Sequence, residues 1–375
     1  MMQSNSFHNF NSTLRYITED TSNYFDYDVN TSNSDSYYVI LCEDEDLQQF
    51  GATFTVVFYV LVFILATIGN ILLLWIMLRY EKLKTITDIF IVNLAISDLL
   101  FAASLPFWAK DHVSGWVFGN AMCKLLSGVF FVGYYSGIMF LTLMTADRYF
   151  AVVHAVYASR SRKTCYAVTA SLVVWAISLS ASVPEFIYST EITWDQTKFC
   201  EANYPEDSEH IWLLFGYYQQ IILFFLIPLV VIVYCYYKIM NTVLRCKARK
   251  KYKAVKVILC IVVIFFLCWA PYNMVIFLVS LKQLNVSPFT TCEMSKHIDY
   301  AYFISRNLAY FHCCLNPVFY AFVGTKFKMY LVQCLGKLFP CIKVSKQVSR
   351  STTANHSSSQ TWFDGELVVK SCLER

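Results

Sequence analysis

Residues 50–78 read FGATFTVVFYVLVFILATIGNILLLWIML, a run that contains no charged residue. A helix needs about 20 apolar residues to cross the roughly 30 Å hydrocarbon core of a bilayer, so this run is long enough to span a membrane. The composition agrees, because 57% of the 375 residues are hydrophobic and only 15% are charged. Soluble domains average about 45–50% apolar and about 25% charged residues, so we interpret the chain as an integral membrane protein.

Six further apolar runs follow, at residues 89–109, 125–146, 164–184, 211–237, 257–281 and 300–323. Asp98 interrupts the second run and Arg306 interrupts the seventh. The runs are continuously apolar rather than alternating, which is typical of helices in lipid, because a helix satisfies its own backbone hydrogen bonds. The sequence therefore predicts an all-α bundle of seven transmembrane helices over residues 50–323.

Basic residues in the loops predict the orientation of the bundle. The loop between the fifth and sixth runs carries eight basic residues and no acid: Lys238, Arg245, Lys247, Arg249, Lys250, Lys251, Lys253 and Lys256. The positive-inside rule assigns this loop to the cytoplasm, and the acid-rich loop 185–210 then lies outside. Seven spans place residues 1–49 outside the cell as a tail. No cleavable signal is expected, because the first twenty residues lack an apolar core.

The segment after the seventh run alternates basic and apolar residues. Over residues 324–339 this pattern predicts a short amphipathic helix lying on the inner membrane surface. Cys334 and Cys341 follow on the cytoplasmic side, where they are either palmitoylated or free thiols. Residues 340–375 are rich in serine and threonine and are expected to form a disordered cytoplasmic tail.

Four cysteines face the oxidising exterior, whereas most others lie singly within apolar helices. These four are Cys42, Cys123, Cys200 and Cys292. Three pairings are possible from sequence alone, of which we expect Cys123–Cys200 and Cys42–Cys292. The exterior tail also holds two sequons for N-glycosylation, at Asn11 and Asn30.

Short polar or proline-containing motifs recur within the spans in a fixed order. They are Gly69-Asn70, Leu94-Ala-x-Ser-Asp98, Asp147-Arg148-Tyr149, Trp175, Pro228, Cys268-Trp269-Ala-Pro271 and Asn316-Pro317-x-x-Tyr320. This set resembles the rhodopsin-like G-protein-coupled receptors over nearly the whole bundle.

The resemblance implies an activation switch within these motifs. Polar residues at membrane depth are costly unless they face a partner, so Asn70, Asp98 and Asn316 are expected to converge. In the family such a cluster holds a sodium ion, and a purely structural network is the alternative. The remaining members would be Arg148, which Asp147 restrains and Tyr149 follows, and a kink in the sixth span at Trp269 and Pro271. The seventh span would be loosened at Pro317, with Tyr320 turned inward.

The exterior tail indicates the class of ligand. Residues 1–49 carry nine acids against Arg15 alone, so the tail would steer a basic protein ligand towards the receptor. Four tyrosines stand among these acids and are candidates for sulfation and ligand contact: Tyr24, Tyr27, Tyr37 and Tyr38. A merely solubilising tail is the alternative.

Further strings resemble the chemokine receptors within that family. They are Ser104-Leu-Pro106-Phe-Trp108, Gly115-Trp116-x-Phe-Gly119, Asp147-Arg-Tyr-Phe-Ala-Val-Val-His154 and His312-Cys-Cys-Leu-Asn-Pro317. The resemblance implies a chemokine whose core binds the tail and whose flexible N-terminus enters a helical pocket. That pocket would be lined by Tyr59, Trp108, Phe130, Tyr134, Trp269 and Arg306.

Arg306 departs from most chemokine receptors, which carry glutamate at this point. With residues 305–312 it resembles the XC (lymphotactin) receptor, whereas residues 147–154 resemble the CC receptors. We favour the XC type, with the CC type as the alternative. A buried arginine needs a partner, for which an acidic ligand group, Asp299 or Glu293 are the candidates.

The resemblance implies a plasma-membrane receptor that activates a heterotrimeric G protein, of the Gi type, to drive chemotaxis and calcium signalling. Arrestin and membrane lipid are further expected partners, and nucleic acid is not. An atypical scavenger without G-protein coupling is disfavoured because residues 147–155 are intact. Neither a nucleophile paired with a base nor a phosphate-binding loop occurs, so an enzyme is not expected, nor is any cofactor besides sodium.

Overall fold

The computed structural model describes residues 45–81, 83, 85–154, 164–194, 196–246, 252–323 and 329–331. The first span is Glu45–Ile76 with a π-helical turn at Met77–Glu81, the second is Ile86–Ser114, the third is Gly119–Val153 and the fourth is Thr164–Ala181. The fifth comprises Glu209–Tyr218, a π-helical stretch Gln219–Leu226 and Ile227–Cys246, the sixth is Tyr252–Gln283, and the seventh comprises Cys292–Tyr310 and His312–Val323.

These helices form the predicted seven-transmembrane bundle. Among the described residues, five helices are long and apolar enough to cross a membrane. The fourth span is shorter, with an apolar stretch at Cys165–Ala181, and the seventh is interrupted at Phe311. Large apolar side chains cover the outside of the bundle, among them Leu61, Ile68 and Leu172. Such a surface suits hydrocarbon, which is as apolar as these side chains.

Several helix boundaries differ from those of the apolar runs that predict them. The seventh span begins at Cys292, about two turns before residue 300, because a helix can continue past the hydrocarbon core with polar side chains in water. The fourth span ends earlier, at Ala181, and a short helix Val183–Tyr188 follows. Pro184 lies in the first turn of that helix, where its missing N–H has no helical partner to lose.

The loop after the fourth span forms a two-stranded antiparallel sheet that the sequence analysis did not predict. Strand β1 (Ser189–Trp194) pairs with β2 (Thr197–Ala202), and Glu191 stands opposite Cys200. The expected Cys123–Cys200 disulfide joins β2 to the third span, with 5.5 Å between the two Cα atoms. The hairpin is therefore fixed over one end of the bundle.

Gly115 brings the end of the second span against the hairpin. Its φ is 74°, and a Cβ atom there would lie 2.6 Å from the carbonyl oxygen of Lys198. The next N–H, that of Trp116, donates a 2.6 Å hydrogen bond to the same oxygen. A left-handed conformation combined with so close an approach favours glycine at this position.

The second and third spans also approach closely. A Cβ atom on Gly133 would lie 2.7 Å from the backbone nitrogen of Phe101 and 2.8 Å from the carbonyl oxygen of Ser97. Near this contact Ser136 Oγ donates a 2.7 Å hydrogen bond to Ser97 Oγ. Small residues at helix crossings allow such backbone contact and let hydroxyls join the helices.

Several predictions fall outside the described residues. They concern Asn11, Asn30, the four tail tyrosines, Cys42 and with it the Cys42–Cys292 pair, Cys334, Cys341 and the tail 340–375. Of the predicted amphipathic helix, only residues 329–331 are described, and they are helical.

Candidate ligand cavity and switch network

A small open cavity lies at the hairpin end of the bundle. The first, second and seventh spans and strand β2 supply its lining, which consists of Tyr59, Trp108, Asp111, His112, Cys200, Arg306 and Tyr310. Three of the predicted pocket residues, Tyr59, Trp108 and Arg306, therefore meet around one cavity.

Arg306 is buried in this lining, with 7% of its surface exposed. Its guanidinium carbon lies 5.4 Å from the ring centroid of Tyr302, a cation–π distance. Within the described ranges no carboxylate lies within 4.0 Å of Arg306, and its Nε has no hydrogen-bond partner. Asp299 is not its partner, because that carboxylate pairs with Lys282 at 4.0 Å.

Two buried acidic residues lie at this end of the bundle, Asp111 in the cavity lining and Glu201 on strand β2. Asp111 lies one helical turn beyond Trp108, and its Oδ1 is buried without a hydrogen-bond partner in the described part of the chain. Glu201 follows Cys200 on β2, is 2% exposed, and has no described partner for either carboxylate oxygen. Burial, and then the charge of Asp111, raise the pKa of Glu201 to about 8.

The sequence analysis missed Asp111, Glu201, His112 and Tyr310. Asp111 could have been found, because the i, i+3 spacing places it on the same helix face as Trp108. Glu201 could not, since no pattern in the loop indicates which side of the hairpin faces the bundle. Its role follows only from the strand pairing and the disulfide at Cys200.

Phe130, Tyr134 and Trp269, also predicted for the pocket, are not in the lining of this cavity. They are buried in an aromatic cluster within the bundle, in which Tyr134 stacks on Trp269 with 3.8 Å between ring centroids. Phe130 packs against Phe101 at 4.6 Å in the same cluster. Large rings on interior helix faces fill space within the bundle, and ligand contact by these three residues stays a prediction. The ring centroids of Trp269 and His312 also lie 5.2 Å apart.

The predicted polar cluster forms around Asp98. Asn316 Nδ2 donates a 2.7 Å hydrogen bond to Asp98 Oδ2, and His312 Nε2 lies 3.8 Å from Asp98 Oδ1. Asn70 Nδ2 donates to the carbonyl oxygen of Cys313 at 3.0 Å. That carbonyl has no helical donor, because Pro317 lacks the N–H that would reach it.

The cluster offers oxygen atoms that fit a small cation. The Asp98 carboxylate carries the charge, and the Asn70 Oδ1 atom is buried without a partner in the described residues. Carboxylate and amide oxygens are the ligands that hard cations prefer. Gly69 lets the first span approach this region, since a Cβ atom there would lie 2.9 Å from Pro317 Cγ.

At the opposite end of the bundle, Arg148 is held in an ion pair. Its Nη2 lies 2.7 Å from Asp147 Oδ2, and it also donates to Thr87 Oγ1. Thr87 in turn donates a 2.9 Å hydrogen bond to Asp147 Oδ2. The hydroxyl of Tyr149 lies 3.0 Å from His154 Nε2, and buried Tyr320 contacts the sulfur of Met144 at 3.9 Å.

Pro271, where a kink is predicted, lies inside the sixth span, which is one continuous helix. Asn273, two residues later, donates to the carbonyl oxygen of Trp269 at 3.0 Å and accepts from Gln220 Nε2 at 3.2 Å. The proline removes one backbone hydrogen bond, and the Asn273 side chain adds a contact between the fifth and sixth spans. Trp269 therefore stands beside a weakened turn.

Comparison with known proteins places these features in context. Residues 69–320 match the profile of the family described as 7 transmembrane receptor (rhodopsin family). C-C chemokine receptor type 3 of Macaca mulatta is 41% identical over 331 residues, which cover 86% of this chain and 92% of that protein. C-C chemokine receptor type 4 of Homo sapiens is 39% identical over 331 residues, which cover 87% of this chain and 91% of that protein.

Proposed function

Because the chain belongs to the rhodopsin family of seven-transmembrane receptors, and within it to the chemokine receptors, we propose that it is a CC-type receptor coupled to Gi. It is a non-enzymatic, multi-pass protein of the plasma membrane that takes a chemokine ligand and acts through a G protein. The observation that carries the CC assignment is the identity of 39–41% to receptors named C-C over 331 residues.

This assignment replaces the XC type that the sequence analysis favoured. The XC interpretation depended on Arg306 and on a short string in the seventh span, residues 305–312. That string is eight residues long, includes Arg306 and covers only about two helical turns, whereas the similarity to the C-C receptors extends over most of the chain.

The proposal places the N-terminal tail outside the cell, where its acids attract a basic chemokine. The tail then raises the local concentration of the ligand near the cavity, and sulfation of its tyrosines would strengthen the attraction. Orientation follows from the basic loop 238–256, which the positive-inside rule assigns to the cytoplasm.

Signal transfer follows from the geometry beneath the cavity. A ligand segment that moves Trp108 or Tyr310 acts on the aromatic cluster, because Tyr310 lies 5.2 Å from Phe101 and Phe101 lies 6.3 Å from Trp269. Movement of Trp269 bends the sixth span at Pro271 and rearranges the Asp98 cluster, in which the Asp98 carboxylate and Asn70 Oδ1 would hold a sodium ion in the inactive state. Each step shifts the population of receptors from the inactive state towards the active state.

At the cytoplasmic end, the active state frees Arg148 from Asp147 so that it meets the G protein. The intact ion pair favours a signalling receptor over a scavenger. Phosphorylation of the serine-rich tail adds negative charge and suits it to arrestin, and the segment 324–339 lies on membrane lipid.

Direct binding tests the ligand class. Labelled CC and XC chemokines are applied separately to cells that express the full chain, with surface expression measured in parallel. We expect saturable binding of at least one CC chemokine, and about tenfold weaker binding when Tyr24, Tyr27, Tyr37 and Tyr38 are changed to phenylalanine. Phenylalanine at exposed Tyr166, on the fourth span, is the matched control. Binding of XC chemokines alone would contradict the CC assignment.

A further inference from the structure

The outer half of the sixth span, residues 271–283, is joined to the fifth span at three depths. The hydrogen bonds connect Asn273 to Gln220 at 3.2 Å, Ser280 to Tyr218 at 3.3 Å, and the Gln283 carbonyl oxygen to His210 Nε2 at 3.1 Å. They are spread over ten residues, about 15 Å of helix. Three contacts at this spacing resist both sliding and rotation, so the outer half of the sixth span moves together with the fifth span.

The same outer half meets the seventh span through one lysine near its end. Lys282 Nζ donates a hydrogen bond to Ser295 Oγ and lies 4.0 Å from Asp299 Oδ2. Ser295 and Asp299 are four positions apart, so one face of the seventh helix presents both to the same ammonium group. The Lys282 and Asp299 side chains are only 15% and 16% exposed, so water screens their attraction in part. We call Lys282, Ser295 and Asp299 the outer clasp.

The inner half of the sixth span contacts its neighbours differently. Phe266 packs against Phe225 of the fifth span, and Phe265 packs against His312 of the seventh, each with 5.4 Å between ring centroids. For the described side chains at positions 258–270, no hydrogen bond or ion pair to another span accompanies these ring contacts. Apolar contacts are non-directional and tolerate movement, so the inner half is free to swing while the outer half is held.

Pro271 divides the two halves and makes the outer clasp sensitive to bending. Lys282 lies eleven residues after Pro271, a distance of about 16 Å along the helix. A change of about 10° in the bend at the proline therefore displaces Lys282 by about 3 Å relative to the seventh span. Hydrogen bonds weaken steeply over such a distance. Since the fifth span moves with the outer half, the displacement falls on the contact with the seventh span.

We propose, on the basis of the receptor function above, that the outer clasp stabilises the inactive state and opens when the sixth span bends. The clasp is closed in the same structure in which Asp147 holds Arg148, so the two ion pairs belong to one state. None of the three clasp residues lines the cavity. They are positioning residues, which act through the bend at Pro271 and set how readily the receptor activates.

The test measures agonist-independent, toxin-sensitive inhibition of cyclic AMP in cells that express the full chain, corrected for surface expression. Lys282→Gln and Asp299→Asn each remove the ion pair with little change in side-chain size. Each should raise the agonist-independent signal about two- to fivefold, the shift expected for one partly buried ion pair. Each should also lower the half-maximal concentration of an activating CC chemokine by a similar factor, because less binding energy is then needed to reach the active state.

Further variants separate loss of the clasp from damage to the fold. Lys282→Asp combined with Asp299→Lys exchanges the charges and should return the agonist-independent signal to that of the unmodified receptor. Tyr218→Phe is a matched control, because it removes one of the three contacts with the fifth span and should leave the signal unchanged. Lys198→Gln is a second control, since it breaks the 2.6 Å ion pair with Glu191 on the hairpin, away from the sixth span.

Three results would overturn the proposal. They are signals from Lys282→Gln and Asp299→Asn no higher than that of the unmodified receptor, an equal rise in Tyr218→Phe, and an exchanged pair that behaves like the single variants. Variants that only lose surface expression and chemokine response would show that the clasp merely supports the fold. If the unmodified receptor itself gives no toxin-sensitive signal, with or without any chemokine, the proposed function is contradicted instead.

Discussion

The side-chain amide of Asn316 donates a 2.7 Å hydrogen bond to Asp98, although 218 positions separate the two residues in the sequence. The bond joins the seventh span to the second at a depth where an unpaired charge would be costly. Asn70 joins the first span to the same region through the Cys313 carbonyl that Pro317 leaves free. Three motifs of the sequence thus meet in one polar cluster, which gives the first prediction.

If this cluster holds sodium in the inactive state, sodium should weaken agonist binding. In competition binding, replacing N-methylglucamine with sodium at constant ionic strength should lower chemokine affinity by about fivefold. Asp98→Asn removes the charge that holds the cation and should abolish the effect. Asp207→Asn, on an exposed turn, should retain it. An unchanged sodium effect in the Asp98 variant would exclude this site.

Thr87 restrains the cytoplasmic ion pair, because it donates to Asp147 and accepts from Arg148. Thr87→Ala removes both contacts and should raise agonist-independent G-protein activation by about two- to fivefold, since a lost contact of about 0.5–1 kcal/mol favours the released arginine. Thr142→Ala serves as the control, because Thr142 bonds the carbonyl of Ile138 in its own helix. Equal agonist-independent signals in the Thr87 and Thr142 variants would show that Thr87 does not restrain the ion pair.

Gly133 and Gly137 provide a matched pair on one helix. A Cβ atom on Gly133 would lie 2.7 Å from backbone, whereas on Gly137 its nearest neighbours lie 4.0 Å away. Gly133→Ala should therefore destabilise the bundle by about 1–3 kcal/mol and lower surface expression, while Gly137→Ala should be close to neutral. Thermal unfolding of the purified receptor in detergent measures both, and similar melting temperatures for the two variants would contradict the close packing.

Receptor stability should fall as the pH rises from 5 to 8. Burial, and then the neighbouring Asp111, raise the pKa of Glu201 from 4.5 to about 8, so the folded state binds more protons than the unfolded state across this window. Burial also raises the pKa of Glu185, to about 7, with the same sign. Glu201→Gln should therefore reduce the decline in melting temperature, by about 3 °C at pH 8, without removing it.

A Glu201→Gln variant with the same pH dependence as the unmodified receptor would show that this carboxylate ionises freely. Asp207→Gln is the matched control, because that acid is exposed and its removal should leave the decline as it is.

The sequence predicted the seven spans because lipid imposes a strong requirement on helix length and polarity. It also predicted that Asn70, Asp98 and Asn316 converge, since polar groups at membrane depth need partners. It did not predict the hairpin, whose strands are short and lack a regular alternation of buried and exposed residues. Nor did it predict the interruption at Phe311, because proline at position 317 was expected to loosen the span instead.

The cavity was predicted only in part for a related reason. Motifs indicate which helix faces turn inward, and Tyr59, Trp108 and Arg306 were found in this way. Depth along the bundle depends on helix tilt and on how rings interlock, so the sequence does not separate the residues that line the cavity from Tyr134 and Trp269, which stack on each other within the bundle. The position of Glu201 depends on the disulfide and on the strand register together, so the sequence alone does not indicate it.

Inhibition of cyclic AMP tests the central claim most directly. Cells that express the chain are exposed separately to CC and XC chemokines, with and without pertussis toxin, while ligand uptake is followed in the same wells. We expect a toxin-sensitive fall in cyclic AMP with at least one CC chemokine and no response to XC chemokines. Uptake of a chemokine without any toxin-sensitive signal would contradict it and would identify a scavenger instead.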